Sequence, residues 1–154
     1  MFSIAVVGLG WWGKIITDLV VTSKKLKLVR VADVNAEAAK AIGAKHSIAF
    51  STSLDEVLKD PDVKGVVLCT PHTLHCEQIQ AVARAGKHVF CEKPLCMSRD
   101  EVLKAIKAVN DAGVKIAVGH EMRSNPPILE LMRMIKAGEP GTPLQVDWNF
   151  SQDK

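Results

Sequence analysis

Three short stretches of this chain hold residues whose types and spacing could do chemistry together. Gly8-Leu9-Gly10-Trp11-Trp12-Gly13 has the spacing G-x-G-x-x-G, directly after an apolar β-branched run and at the start of a helical pattern. In that setting the first glycine permits a tight turn, the second lets backbone approach a pyrophosphate, and the third lets helix and strand pack closely. The helix amino terminus adds unpaired N–H groups and a positive dipole end for the phosphates. Asp33 lies 20 residues beyond Gly13, at the end of a second predicted strand. A carboxylate there accepts hydrogen bonds from ribose hydroxyls. Asn35 is available to cap the next helix, which weakens the competing reading of Asp33 as that cap. The same charge repels a 2′-phosphate and no Arg follows closely, so the pattern favours NAD over NADP. Of the two tryptophans, one is expected to shield the pyrophosphate and the other to pack under the helix.

Cys91-Glu92-Lys93-Pro94 and Cys69-Thr70-Pro71 end two further predicted strands. A lysine beside a cationic, oxidised nicotinamide gives up its proton more readily, through charge repulsion and desolvation. Lys93 is therefore the candidate that exchanges a proton with a substrate hydroxyl or carbonyl while hydride moves. Glu92 is the candidate acceptor for ribose hydroxyls. The competing reading is an exposed charged pair in a loop, since loops are commonly charged. Zinc fits less well. Cys69, His72, His75, Cys76 and Cys91 are near one another in sequence, but their spacing matches no standard zinc motif. No metal is expected.

These residues need a scaffold that brings strand ends together. Apolar runs at Ile4–Val7, Leu28–Ala32, Ser47–Phe50, Gly65–Cys69, His88–Cys91 and Lys115–Val118 alternate with helical patterns. The alternation predicts an α/β Rossmann fold, a doubly wound parallel sheet covered by helices. In the strand order 3-2-1-4-5-6 a dinucleotide crosses the carboxyl ends at the switch between strands 1 and 4. Thr70 and Pro71 then border the pyrophosphate and nicotinamide ribose. Glu92 and Lys93 lie beside the nicotinamide, and His120 and Arg123 stand on the substrate side.

Helix boundaries are also legible. Ser53-x-x-Glu56 and Ser98-x-x-Glu101 are capping boxes that fix two helix starts. His75, Ile79 and Val82, then Val102, Ile106 and Val109, then Ile128, Leu131, Met132 and Ile135 follow helical spacing and are expected to face the sheet. Gly43, Gly86, Gly113 and Gly138 are expected to close helices. Residues 1–120 read as the dinucleotide-binding domain, and 121–154 as a connecting helix and the first strand of a further domain. In that strand, Leu144 to Phe150, the residues Leu144, Val146, Trp148 and Phe150 alternate with Gln145, Asp147 and Asn149. Its apolar face and open edges predict self-association into a homo-oligomer.

Composition excludes several function classes. At 154 residues, 47% hydrophobic and 24% charged, the chain suits one globular core and not two of equal size. The 20 basic and 17 acidic residues leave +3 without any basic run, and there is no Tyr, which argues against a nucleic-acid partner. No uncharged stretch reaches the roughly 18 apolar residues of a membrane span. Met1-Phe2-Ser3-Ile4 lacks a signal peptide's basic region, so a cytoplasmic location is expected. The four cysteines form no C-x-x-C pair and read as free thiols.

Taken together, these residues resemble the glucose-fructose oxidoreductase, inositol dehydrogenase and rhizopine-catabolism family of NAD(P)-dependent oxidoreductases. The resemblance runs through Gly8 to Gly13, Asp33, Thr70-Pro71-x-x-x-His75, Glu92-Lys93-Pro94, and Gly119-His120 with Arg123 and Pro126. It implies that Lys93 takes part in proton transfer and substrate binding, with Glu92 and His75 lining the cofactor side. It also implies a sugar, cyclitol or related polyol as substrate. His72 departs from the family, which often has Asn there. The family's second domain, which supplies an Asp and a His to the substrate pocket, has no counterpart in these residues. The expected function is therefore the amino-terminal, cofactor-binding half of an NAD-dependent oxidoreductase, with little turnover by this half alone. A non-catalytic dinucleotide-binding sensor or regulatory module is the alternative.

Overall fold

A computed structural model describes residues 1–147. They fall into two compact units, Met1–Gly119 and a second beginning at His120. The first unit alternates strands β1 (Phe2–Val7), β2 (Leu26–Ala32), β3 (Ala49–Ser51), β4 (Gly65–Leu68), β5 (His88–Glu92) and β6 (Ile116–Gly119) with helices α1 (Trp11–Val21), α2 (Ala36–His46), α3 (Leu54–Lys59), α4 (His75–Arg84) and α5 (Arg99–Asp111). All six strands pair in parallel, in the order β3-β2-β1-β4-β5-β6. This is the doubly wound Rossmann arrangement.

The central strands are mostly apolar on both faces because both faces are covered. Alternate side chains of a strand point to opposite faces. Ile4, Val6, Leu28, Val31 and Val67 therefore pack with Val20 of α1 and Ala39 of α2. Ala5, Val7, Ala32, Val66 and Leu68 pack on the other side with Val57, Ile79, Val82, Ala105 and Val109 of α3, α4 and α5. Three helix starts are fixed locally by side-chain caps. The Asn35, Ser53 and Ser98 side chains accept from the amides of Ala38, Asp55 and Glu101 respectively. Glu101 returns its bond to the Met97 amide, one residue before the expected partner Ser98.

Several expectations need correction. Gly43 does not end α2. It lies inside the helix, where a Cβ would press on the Phe50 ring, so it lets α2 approach β3 closely. Ser47 ends the helix instead, with a left-handed φ of 54°, and this delays β3 to Ala49. Gly86, Gly113 and Gly138 do follow helix ends with positive φ. In α5 the buried face centres on Ala105 and Val109, leaving Ile106 39% exposed.

The second unit holds a 3₁₀ turn, Glu121–Ser124, and helix α6 (Pro126–Lys136). Contrary to the expected sheet-facing stripe, α6 has no buried residue, and Leu131 and Met132 are exposed. Residues 144–147 form no strand, and Leu144 is 95% exposed. Trp148, Asn149 and Phe150, the rest of the expected strand, lie outside the described residues. No helix among the described residues is long and apolar enough to cross a membrane.

Candidate functional site

Parallel register determines which residues can meet. Val7 pairs with Ala32 and with Leu68, and Leu68 pairs with Cys91. Glu92 pairs with Gly119 on the next strand. The residues that follow these positions, Gly8, Asp33, Cys69-Thr70 and Lys93, therefore emerge along one carboxyl edge. The change of direction in strand order falls between β1 and β4, which is where open α/β sheets bind ligands.

At the end of β1 the chain turns through Gly8 with φ 90°. A Cβ on Gly8 would come within 2.6 Å of the Cys69 backbone, and one on Gly13 would overlap the Gly8 carbonyl oxygen. Gly10 differs, since a Cβ there meets nothing within 4 Å. It occupies the cap position of α1 without a side-chain cap and with no acidic residue in the first turn. Asp33 is half-buried beside this turn and accepts from the Leu9 amide at 2.5 Å and the Asn35 amide at 2.8 Å. Each carboxylate oxygen has two acceptor sites, so both retain capacity for hydroxyls. Trp11 is 77% exposed. Trp12 is partly buried, its ring centroid 5.5 Å from that of Trp11, and its indole Nε1 is buried without a partner.

At the ends of β4 and β5 side chains take over from backbone. His75 is 1% exposed; its Nδ1 lies 2.8 Å from the Pro94 carbonyl oxygen and its Nε2 lies 3.0 Å from that of Thr70. The ring ties together the two loops that follow β4 and β5. The Thr70 hydroxyl donates to Gln78 Oε1 at 2.5 Å, while Pro71 and His72 are exposed at the 3₁₀ turn His72–Leu74. Glu92 is 7% exposed and accepts from the Lys93 amide at 3.3 Å. Its carboxylate lies so close to Gly119 that any side chain there would collide with it. Lys93 itself is exposed, with a cis peptide bond to Pro94.

All four cysteines are free. Burial, with the Glu92 charge adding to it, pushes the Cys69 thiol up to about 12. Burial, then Cys96, Cys69 and Glu92, pushes Cys91 up to about 12 as well. Neither supplies a thiolate nucleophile near neutral pH.

The sequence profile described as "Oxidoreductase family, NAD-binding Rossmann fold" (GFO_IDH_MocA) matches residues 2–120. The chain belongs to this family. The inositol 2-dehydrogenase of Rhizobium meliloti (strain 1021) is 34% identical over 134 residues, covering 87% of this chain and 40% of that protein. The scyllo-inositol 2-dehydrogenase (NAD(+)) of Bacillus subtilis (strain 168) is 37% identical over 152 residues, covering 97% and 44% respectively. Among solved structures, the WlbA dehydrogenase from Bordetella pertussis in complex with NADH and UDP-GlcNAcA matches with a TM-score of 0.85 and 30% identity, over 91% of this chain and 43% of that one. The chain thus spans about two-fifths of the length of the relatives it matches.

The residues present fit the family's dinucleotide. The uncapped α1 amino terminus, the open space at Gly10 and the adjoining Asp33 carboxylate form a donor-rich cradle with an acceptor at one end. A mostly apolar groove of about 330 Å³ lined by Phe2, Ile16, Val20, Leu26, His88 and Phe90 lies at the opposite, amino-terminal side of the sheet. His120 and Arg123 are exposed at the start of the second unit. Sequence reasoning missed the Gly119 constraint and the loop-tying role of His75. Glycine after a strand and a histidine on an apolar helix face were the signals for them, but the partners are far away in sequence.

Proposed function

We infer that this chain is the dinucleotide-binding part of an NAD-dependent oxidoreductase acting on a hydroxyl-bearing carbon of a sugar, cyclitol or related polyol. The emergence of the glycine turn, Asp33, Glu92 and Lys93 along one sheet edge carries this reading. NAD, when bound, supplies the hydride acceptor. Amides at the start of α1 hold the pyrophosphate, and Asp33 accepts from the adenosine ribose hydroxyls. Glu92 orients the Lys93 loop and accepts from the second ribose. Lys93 Nζ exchanges a proton with the substrate oxygen as the C–H bond is broken, so the alcohol loses one hydride and one proton. Thr70 and Pro71 border the pyrophosphate, Trp11 shields it, and His120 and Arg123 contact the substrate.

The test pairs binding with turnover. NADH fluorescence titration of the 154 residues is expected to give saturable binding that Lys93→Ala leaves nearly unchanged. Polyol oxidation by these residues alone is expected to be negligible, because substrate positioning can account for roughly 7 to 11 kcal/mol of a barrier. In the full-length enzyme, Lys93→Ala is expected to lower turnover by about 10²–10⁴-fold. Absence of NADH binding, or full-length turnover insensitive to Lys93, would overturn the reading.

A further inference from the structure

Cys76 lies in the first turn of α4 directly after His75, Cys96 lies in the β5–α5 loop two residues after Pro94, and Glu101 lies in the first turn of α5. Their donor atoms, two sulfurs and a carboxylate oxygen, all lie within 4.8 Å of one another. Ligands about 2.3 Å from a tetrahedral ion stand about 3.8 Å apart, so closing this set takes movements of about 1 Å. Among the described residues no other three such donors converge.

The surroundings hold these donors in place. Glu101 Oε2 accepts from the Met97 amide at 2.9 Å, which fixes the carboxylate. Cys76 Sγ accepts from Gln80 Nε2 at 3.3 Å and lies 3.4 Å from the Glu101 carbonyl oxygen. Outer hydrogen bonds of this kind orient metal ligands. Two sulfurs with one carboxylate suit a borderline-soft divalent ion, whereas Mg²⁺ and Ca²⁺ take oxygen shells. Three protein ligands leave a fourth tetrahedral position for water. Cys76 is 7% exposed while Cys96 and Glu101 are half-buried, so an ion reaches the set from the loop side.

We propose that Cys76, Cys96 and Glu101 form a binding site for a thiophilic divalent cation of the Zn²⁺ class, which ties the β5–α5 loop to the start of α4. No sequence spacing announces it, because the first two ligands are 20 residues apart on different elements.

Titration of the reduced chain with Cd²⁺, followed by sulfur-to-cadmium charge-transfer absorption, tests the site. One Cd²⁺ per chain is expected, unaffected by excess Mg²⁺ or Ca²⁺. Cys76→Ser and Cys96→Ser are each expected to abolish the band, and Cys69→Ser to retain it. Glu101→Gln is expected to weaken binding by roughly tenfold or more. Cys96 is a half-buried loop residue whose Ser variant is expected to keep its fold, checked by circular dichroism, so it decides the matter even if the more buried Cys76 variant misfolds. No stoichiometric binding by the reduced chain, or a full band in folded Cys96→Ser, overturns the proposal.

Discussion

At the β1–α1 turn the backbone makes the site, because Gly8, Gly10 and Gly13 contribute nothing else, whereas at the β5–α5 loop side chains from several elements make it. The turn is tight because Cβ atoms on Gly8 and Gly13 have no room. The loop is held by the His75 ring between the Thr70 and Pro94 carbonyls, and by Glu92 lodged against Gly119. One region is specified by what is absent from the side chains and the other by what is present. Substitutions should therefore fail differently in the two places.

The largest effect is expected at the turn. Gly8→Ala must hold a Cβ at φ 90°, which costs about 1–3 kcal/mol. It must also push against the Cys69 and Thr70 backbone, an overpacking cost of about 1–3 kcal/mol more. Urea unfolding should show a loss of roughly 2–6 kcal/mol. Stability within about 1 kcal/mol of the parent chain would mean that the turn is not made by its backbone in this way.

The other side of the comparison is broken through His75. His75→Ala leaves a buried cavity and removes the ring from two carbonyl oxygens, at a cost of about 2–4 kcal/mol. Amide exchange should accelerate most in Leu95 to Met97, where the loop loses its tie. Uniform exchange across the unit would show that the ring fills space without holding the loop.

Asp33 stands between the two modes, since its side chain is the proposed ribose acceptor while its two oxygens brace backbone amides. Asp33→Ser is expected to weaken NAD by about 1–3 kcal/mol through loss of charged hydrogen bonds. NADP should lose less, because repulsion of the 2′-phosphate goes with the carboxylate. The ratio of the two affinities is the diagnostic, as it is insensitive to any general loosening of the turn. Equal affinities for NAD and NADP in the unaltered chain would remove the role assigned to Asp33.

The same difference decides what was legible in the amino-acid order. A backbone-made turn writes itself locally, so Gly8, Gly10, Gly13 and Asp33 could be placed from spacing, and the parallel sheet from the alternation of mostly apolar strands with helical patterns. A site made by side chains depends on partners such as Pro94 for His75, 19 residues away, and Gly119 for Glu92, 27 away. Spacing carries no such distances. The delay of β3 depended on Ser47 taking a left-handed conformation that glycine would ordinarily supply. The alternation beginning at Leu144 shows a different limit. A period of two says which side chains share a face once a strand forms, but it supplies no ladder partner, and residues 144–147 have none.

Gly10→Ala gives the smallest change in stability and separates folding from binding within one turn. Gly10 has φ −62° and ψ −170°, a conformation open to any residue, and its added Cβ meets nothing within 4 Å. Alanine at a helix cap position costs a few tenths of a kcal/mol or more relative to glycine. It also reduces the freedom of the unfolded chain, which returns about 0.4–1 kcal/mol where the native conformation is unstrained. The two nearly cancel, so the unfolding midpoint should hardly move. In the proposed binding mode the methyl group nonetheless occupies the space through which a pyrophosphate reaches the α1 amides. NADH affinity is expected to fall roughly tenfold, about 1.4 kcal/mol. An unchanged affinity would mean that the dinucleotide does not approach over Gly10. A large loss of stability would mean that the turn's three glycines serve packing alike, and the contrast between its two tight positions and its open one would disappear.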